Sequence, residues 1–231
     1  KSTSNISIQS NLSSIGKDDE ITQGSQNFPF LRTGNGGNVD FNYRSPQYGP
    51  WQYSFGDGVE RKNYYAFTDR RRSASMGVGY TPRDNIRTWF RMNHRERSNW
   101  TIRTDEDLYA TFSQKRLGLN TGVTWYRTEK EELSLKIQMV SFRNQKGQSY
   151  RIDENGYFKK SDLTAESINL GSLAFQLRYK YEIAPLSNIY LVYTRGGSAF
   201  FDDEADNSTI FSDTWERPEG NRFAAKIRYR F

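Results

Sequence analysis

The most regular feature of the chain is an alternation of period two. In "NRFAAKIRYRF" (Asn221–Phe231), Phe223, Ala225, Ile227, Tyr229 and Phe231 share one parity, and Arg222, Ala224, Lys226, Arg228 and Arg230 share the other. Successive strand side chains point to opposite faces, so this stretch predicts a strand with an apolar face backed by a cationic one. The same pattern runs through Leu173, Phe175, Leu177, Tyr179 and Tyr181, with Ala174, Gln176, Arg178 and Lys180 between them. The turn "EIAPLSN" (Glu182–Asn188) follows, and Ile189, Leu191 and Tyr193 resume the apolar face. Leu117–Trp125, the turn "TEKE" (Thr128–Glu131) and Leu133–Met139 form a second such unit. Met76–Tyr80, "TPRDN" (Thr81–Asn85) and Ile86–Met92 form a third.

The first half is less regular. Ile6, Ile8 and Leu12 predict a first strand, Val39–Tyr43 another and Trp51–Phe55 a third, with "SPQYGP" (Ser45–Pro50) as the turn between the last two. "GDGVER" (Gly56–Arg61) reads as a further turn, and Tyr64–Arg71 as strand or loop. Residues 1–37 read as a loop, plug or N-terminal strand region. About ten strands are expected, within a range of roughly 8–12, in one all-β domain over 1–231. Short turns join the units internally, whereas Phe142–Leu170 and Gly196–Gly220 between them are long and polar. That asymmetry, with the alternation, predicts an antiparallel transmembrane β-barrel, complete or part of a larger one.

Composition sharpens this reading. Mean hydropathy is −0.89, yet aromatics make up 15% of residues, with 15 Tyr, 15 Phe and 5 Trp. Disorder would explain the polarity but not the aromatics. A barrel explains both, because only alternate residues face lipid and aromatic girdles mark the interfaces. A soluble β-sandwich also alternates, but it does not call for aromatics concentrated at strand ends. No apolar run of about 18 residues is present, which excludes a transmembrane helix. The absence of cysteine excludes disulfides and thiolate chemistry. The chain opens on Lys-Ser-Thr-Ser-Asn rather than a signal peptide, which fits a processed form or a C-terminal piece of something longer.

The aromatic terminus with apolar residues at every second position before it resembles the recognition signal of outer-membrane barrels. Phe223, Ile227, Tyr229 and Phe231 fill that signal, and the resemblance implies that the barrel-assembly machinery reads it. "LAFQLRYKYEIAPLSNIYLVYTRGG" (Leu173–Gly197) with "KIRYRF" (Lys226–Phe231) resembles the C-terminal end of an uncharacterised Gram-negative outer-membrane barrel family. Longer members of it carry an N-terminal domain similar to family-nine carbohydrate-binding modules. The likeness covers roughly Ala74–Phe231 and implies the bacterial outer membrane as location, with its lipid and lipopolysaccharide as surroundings.

Candidate chemistry is sparse. Net charge is +6, and Arg87, Arg91, Lys136, Arg178, Lys180, Lys226, Arg228 and Arg230 all fall on the non-lipid parity. Lumen cations bias a pore toward anions. The competing reading is that lumen acids or a plug neutralise them in a filled barrel that anchors or contacts a partner protein or surface glycan. Their spread over alternate strand positions speaks against nucleic acid. Asp202, Asp203, Glu204 and Asp206 form an acidic run that could hold a cation or simply be solvated, since it lacks the pattern of a defined calcium loop. His94, the sole histidine, lies in "NHRERSN" (Asn93–Asn99), which supplies the serine and amide types of a hydrolase site. Its parity sets it away from Asn93, and such a site needs its members within hydrogen-bond reach. No phosphate loop, metal cluster or nucleophile elbow is visible, so neither a cofactor nor an enzyme is expected.

Overall fold

A computed structural model describes residues 3–19, 22, 30–105, 107–201 and 205–230. The strands are β1 (Asn5–Ser13), β2 (Gly16–Asp18), β3 (Leu31–Thr33), β4 (Gly36–Arg44), β5 (Trp51–Asn63), β6 (Thr68–Arg83) and β7 (Ile86–Arg103). They continue as β8 (Leu108–Thr128), β9 (Glu131–Asn144), β10 (Gly147–Ile152), β11 (Phe158–Ala165), β12 (Asn169–Ala184) and β13 (Ser187–Phe201). A helix, α1 (Asn207–Glu216), precedes the last strand, β14 (Gly220–Arg228).

One antiparallel sheet organises the chain. Its strands follow the order β1-β4-β5-β6-β7-β8-β9-β12-β13-β14, with β10 pairing β8 and β11, while β2 and β3 form a separate pair. Every neighbour along the main path is antiparallel, so the chain is an up-and-down meander. The path has β1 at one end and β14 at the other. This is the all-β, antiparallel membrane-barrel architecture that the alternation predicts.

The lower connections are residues 45–50, 84–85, 129–130 and 185–186. The upper ones are 14–35, 64–67, 104–107, 145–168 and 202–219. The asymmetry expected from sequence is therefore partial, since 64–67 and 104–107 are as tight as the lower turns. "GDGVER" is not a turn: Gly56–Arg61 lies inside β5, paired with Asn42–Gly37 on one side and Ser75–Arg70 on the other. Its glycines serve close cross-strand approach. A Cβ at Gly56 would sit 2.7 Å from Ser75 Oγ and 2.9 Å from Asn42 Oδ1.

The cross-strand register sorts the side chains into two faces. One row reads Ile6, Tyr43, Phe55, Met76, Met92, Leu119, Met139 and Leu173 across β1 to β12. The next row down on the same face includes Tyr53, Val78, Phe90, Ile137 and Phe175. Much of this apolar face is bare: Tyr53 is 44% exposed, Phe55 49%, Met76 48% and Phe223 70%. Apolar surface of this extent is the kind that lipid covers.

A cluster of buried apolar residues lies elsewhere. Leu31, Tyr64, Tyr109, Ile152 and Phe158 form a closed cluster beyond the upper end of the sheet, with Phe67 and Tyr150 against it. Ring centroids lie 5.2 Å apart for Tyr64–Phe67 and 5.4 Å for Tyr109–Phe158. The long β8 makes this possible, because its first residues, Leu108–Thr111, extend past the end of β9 and pair with β10 there while β7 stays paired on the other side. Burial pushes the Tyr64 phenol up to about 12. Phe158→Ala should loosen this cap by about 3–5 kcal/mol of local stability. Limited proteolysis should then cut the β10–β11 hairpin faster while the main sheet stays intact.

At the opposite end, Ala184 pairs Ser187 across a two-residue turn whose second residue, Leu186, has φ +63°. A left-handed conformation costs an L-residue roughly 1–2 kcal/mol. The Leu186 side chain is exposed, so little packing offsets that cost. Leu186→Gly should raise the urea midpoint of the folded protein by the equivalent of about 1 kcal/mol, with an unchanged slope.

Candidate functional site

The face opposite the apolar one is small and basic. Gly56, Ser75, Asn93 and Gly118 form one of its rows, and Ser54, Gly77, Arg91, Asn120 and Gln138 another. A cavity of about 320 Å³ lies against it, lined from Asp40 on β4 to Val140 on β9. This cavity follows consecutive strands across the basic face. Trp89 lies on it with its indole over Gly122, where a Cβ would come within 2.8 Å of the ring.

The basic residues named from sequence fall on this face in the ladder. Arg87 is opposite Thr124, which is opposite Ser134, which is opposite Arg178. Lys136 lies between Gly122 and Gln176. Lys180 connects through Tyr190 to Lys226, and Arg228 is opposite Asn188. Arg230 lies past the end of β14, and its backbone N–H donates to Ser187 Oγ at 3.0 Å. Of these side chains Arg178 has a carboxylate partner, donating from Nη2 to Glu132 Oε1 at 2.5 Å. Among the described residues no ion pair reaches Arg87, Arg91, Lys136, Lys180, Lys226 or Arg228.

Two further cations on this face escape a strand-by-strand reading of the sequence. Arg95 and Arg116 stand directly opposite each other on β7 and β8, both without an ion-pair partner among the described residues. Arg95 shares the parity of Arg91, which is the signal that could have found it. Its pairing with Arg116 needs the inter-strand register. The nearest acid in their row is Asp40, three strands from Arg95 and so about 14 Å along the sheet. Its carboxylate accepts from Asn38 Nδ2 at 2.5 Å. Higher up, Arg71 meets Glu60 at 2.9 Å and Arg97 pairs with the buried Asp69. Charge balance is thus kept at the upper rim and lost below it.

The other candidates are placed as follows. Asp202, Asp203, Glu204 and Phe231 lie outside the described residues. Asp206 is the N-cap of α1: its carboxylate accepts from Thr209 N–H at 2.8 Å and from Ser208 Oγ at 2.9 Å. These bonds, the backbone one foremost, hold its carboxyl below the usual carboxylate range. The cap is thus fully present above the ordinary carboxylate pKa and is lost only as pH falls through the lowered one. Among the described residues no three His, Cys, Asp or Glu groups gather to hold a metal. The acidic loop expected from sequence therefore contains a helix, and Asp206 is engaged by that helix. α1 packs on the apolar face, with Ile210 and Thr214 buried and Trp215 edge-on to Phe175 at 5.7 Å.

His94 lies on the apolar-face parity between Ala74 and Leu117, with Glu96 3.4 Å from its Nε2. Asn93 is on the opposite face. Phe223, Ile227 and Tyr229 are exposed, the first two on the outer strand β14.

No protein-family model and no curated protein sequence matches the chain. Among solved structures, the chain superimposes on a protein described as "Copper transporter OprC" with a TM-score of 0.50 and 11% identity. The match covers 97% of this chain and 37% of that one, so this chain spans little over a third of the neighbour's length. At that identity the likeness concerns the fold, an antiparallel barrel sheet of the outer-membrane type.

Like charges directly opposite across a ladder are destabilising by a few tenths to about 1 kcal/mol. Arg116→Glu should therefore raise the unfolding midpoint by the equivalent of about 0.5 kcal/mol, while Arg116→Lys should leave it where it is. A lower midpoint for Arg116→Glu would show that the pair is neutralised in the native protein.

Proposed function

We propose that the protein resides in the bacterial outer membrane and forms the wall of a passage for anionic solutes, with the basic face toward the passage. The observation that carries this is the excess of cations without ion-pair partners, among the described residues, on the basic face. Among the described residues, Glu132 is the acid that contacts the lower basic set. A filled, non-conducting interior would need carboxylates in numbers matching the cations. The apolar face turns outward to lipid in this arrangement, and aromatic side chains such as Trp51, Tyr53 and Trp125 lie near its lower edge.

The fold likeness supports the location. Transport is what the neighbour's name states, and a passage is the part of that activity we carry over. Copper is not carried over: this sequence has one histidine, three methionines and no cysteine. The exposed apolar residues of β14 fit its recognition by the assembly machinery. We assign no catalytic role to His94.

A second reading has its own support. Beside the buried aromatic cluster at the upper end, Tyr65 and Tyr157 are exposed and edge-on at 5.4 Å, a surface suited to a partner protein or a surface glycan, in which case the sheet is its anchor.

Planar-bilayer recordings of the refolded native protein separate the two. A passage gives conductance with anion preference, and Arg87→Glu, Arg91→Glu and Lys136→Glu together shift the reversal potential toward cations. Absence of conductance, or cation preference in the wild type, overturns the passage and leaves the anchor.

A further inference from the structure

A larger concavity than that on the basic face lies elsewhere. A groove of about 1190 Å³ runs along the opposite, apolar-parity face at the upper end of β1 and β4 to β8. Its floor includes Leu12, Val39 and Val59, exposed at 94%, 48% and 50%. Arg61, Arg70, Arg72 and Lys115 line it with Glu96 as the acid of the same face. Lys115 is engaged by Glu96 at 3.7 Å. Arg61, Arg70 and Arg72 are exposed and have no ion-pair partner among the described residues. Arg61 and Arg70 are directly opposite each other, an arrangement that costs stability unless an anion lies between them. The remaining arginines and acid along the groove, Arg71, Arg97 and Glu60, belong to the other face and are already paired.

The level of these cations identifies what meets them. Below Arg72 on β6, the outward residues Ala74, Met76, Val78 and Tyr80 carry no charge. Below Lys115 on β8, Leu117 to Trp125 is likewise uncharged at its outward positions. Such a run, about nine residues long, is what a tilted strand needs to cross the hydrocarbon. On β5 the outward position below Val59 is Asp57, in the row of Ala74, so the uncharged band begins one row lower there. The cations stand just above its edge, at headgroup height, on the side that faces lipid. Val39 and Val59 share a cross-strand row with Arg72, and Leu12 shares that of Arg61 and Arg70. An apolar flank and three guanidiniums without ion-pair partners among the described residues thus stand side by side, complementary to a phosphorylated lipid with phosphate at the arginines and acyl chains passing beside Val39 and Val59.

We propose that Arg61, Arg70 and Arg72 bind the phosphate of an anionic lipid in the surrounding leaflet. The site rests on the outer-membrane reading above, but not on the passage being open. Diphosphorylated lipid A is the probe, offered to the folded native protein in zwitterionic detergent, with bound lipid counted by native mass spectrometry. Wild type should retain it, and the triple variant Arg61→Gln, Arg70→Gln, Arg72→Gln should retain at least ~tenfold less. Arg95→Gln, on the opposite face, should retain as much as wild type. Millimolar inorganic phosphate should not displace the lipid. Equal retention by the folded triple variant, or complete displacement by inorganic phosphate, overturns the lipid site while leaving the membrane reading intact. Failure of the wild type to fold into lipid vesicles would overturn the membrane reading instead.

Discussion

Everything in this structure depends on one constraint: a strand that crosses hydrocarbon must have each backbone N–H and C=O paired by a neighbouring strand. Pairing fixes register, and register fixes which side chains share a face. The chain meets the demand with a single antiparallel meander whose strands differ in composition by parity rather than by position. That is why a sequence of low mean hydropathy supports a continuous apolar surface. The apolar residues are few, but along the paired strands they fall to one side.

The same constraint bears on the two ends of the sheet. β1 is exposed along its whole length, and β14 nearly so, on both faces. Free backbone edges are not tolerated in a bilayer. A place in the membrane therefore requires a further neighbour for each of these strands. Under the proposed function the basic face stands beside water, where an imbalance of cations is not costly as it would be in a closed protein core. The stability that the paired sheet does not supply at the upper end comes from an ordinary buried core, the cluster around Tyr64, Tyr109 and Phe158.

Much of this was legible in the sequence because period-two alternation is a local signal. Leu117–Met139, Leu173–Tyr193 and Met76–Met92 were each readable as hairpins, and the structure pairs them so. Three features were not legible. Gly56 and Gly58 looked like turn residues, but their role is set by Asn42, Asp40 and Ser75 on neighbouring strands. The helix α1 was hidden in an acidic run, although Asp206 before Asn-Ser-Thr-Ile-Phe is an N-cap pattern that could have marked it. The opposition of Arg95 to Arg116, and of Arg61 to Arg70, exists only once the register is known. Parity says which face a cation is on; it does not say which other cation it meets.

The central claim is that one face of the sheet meets lipid and the other meets water, and the absence of native cysteine makes this directly measurable. Single cysteines at positions 174 to 179 on β12 can be introduced into the native protein and challenged, in intact outer membranes, with a charged membrane-impermeant thiol reagent. The account predicts alternation: positions 174, 176 and 178 label, and 175, 177 and 179 are protected. Uniform labelling, uniform protection or the opposite alternation would contradict it.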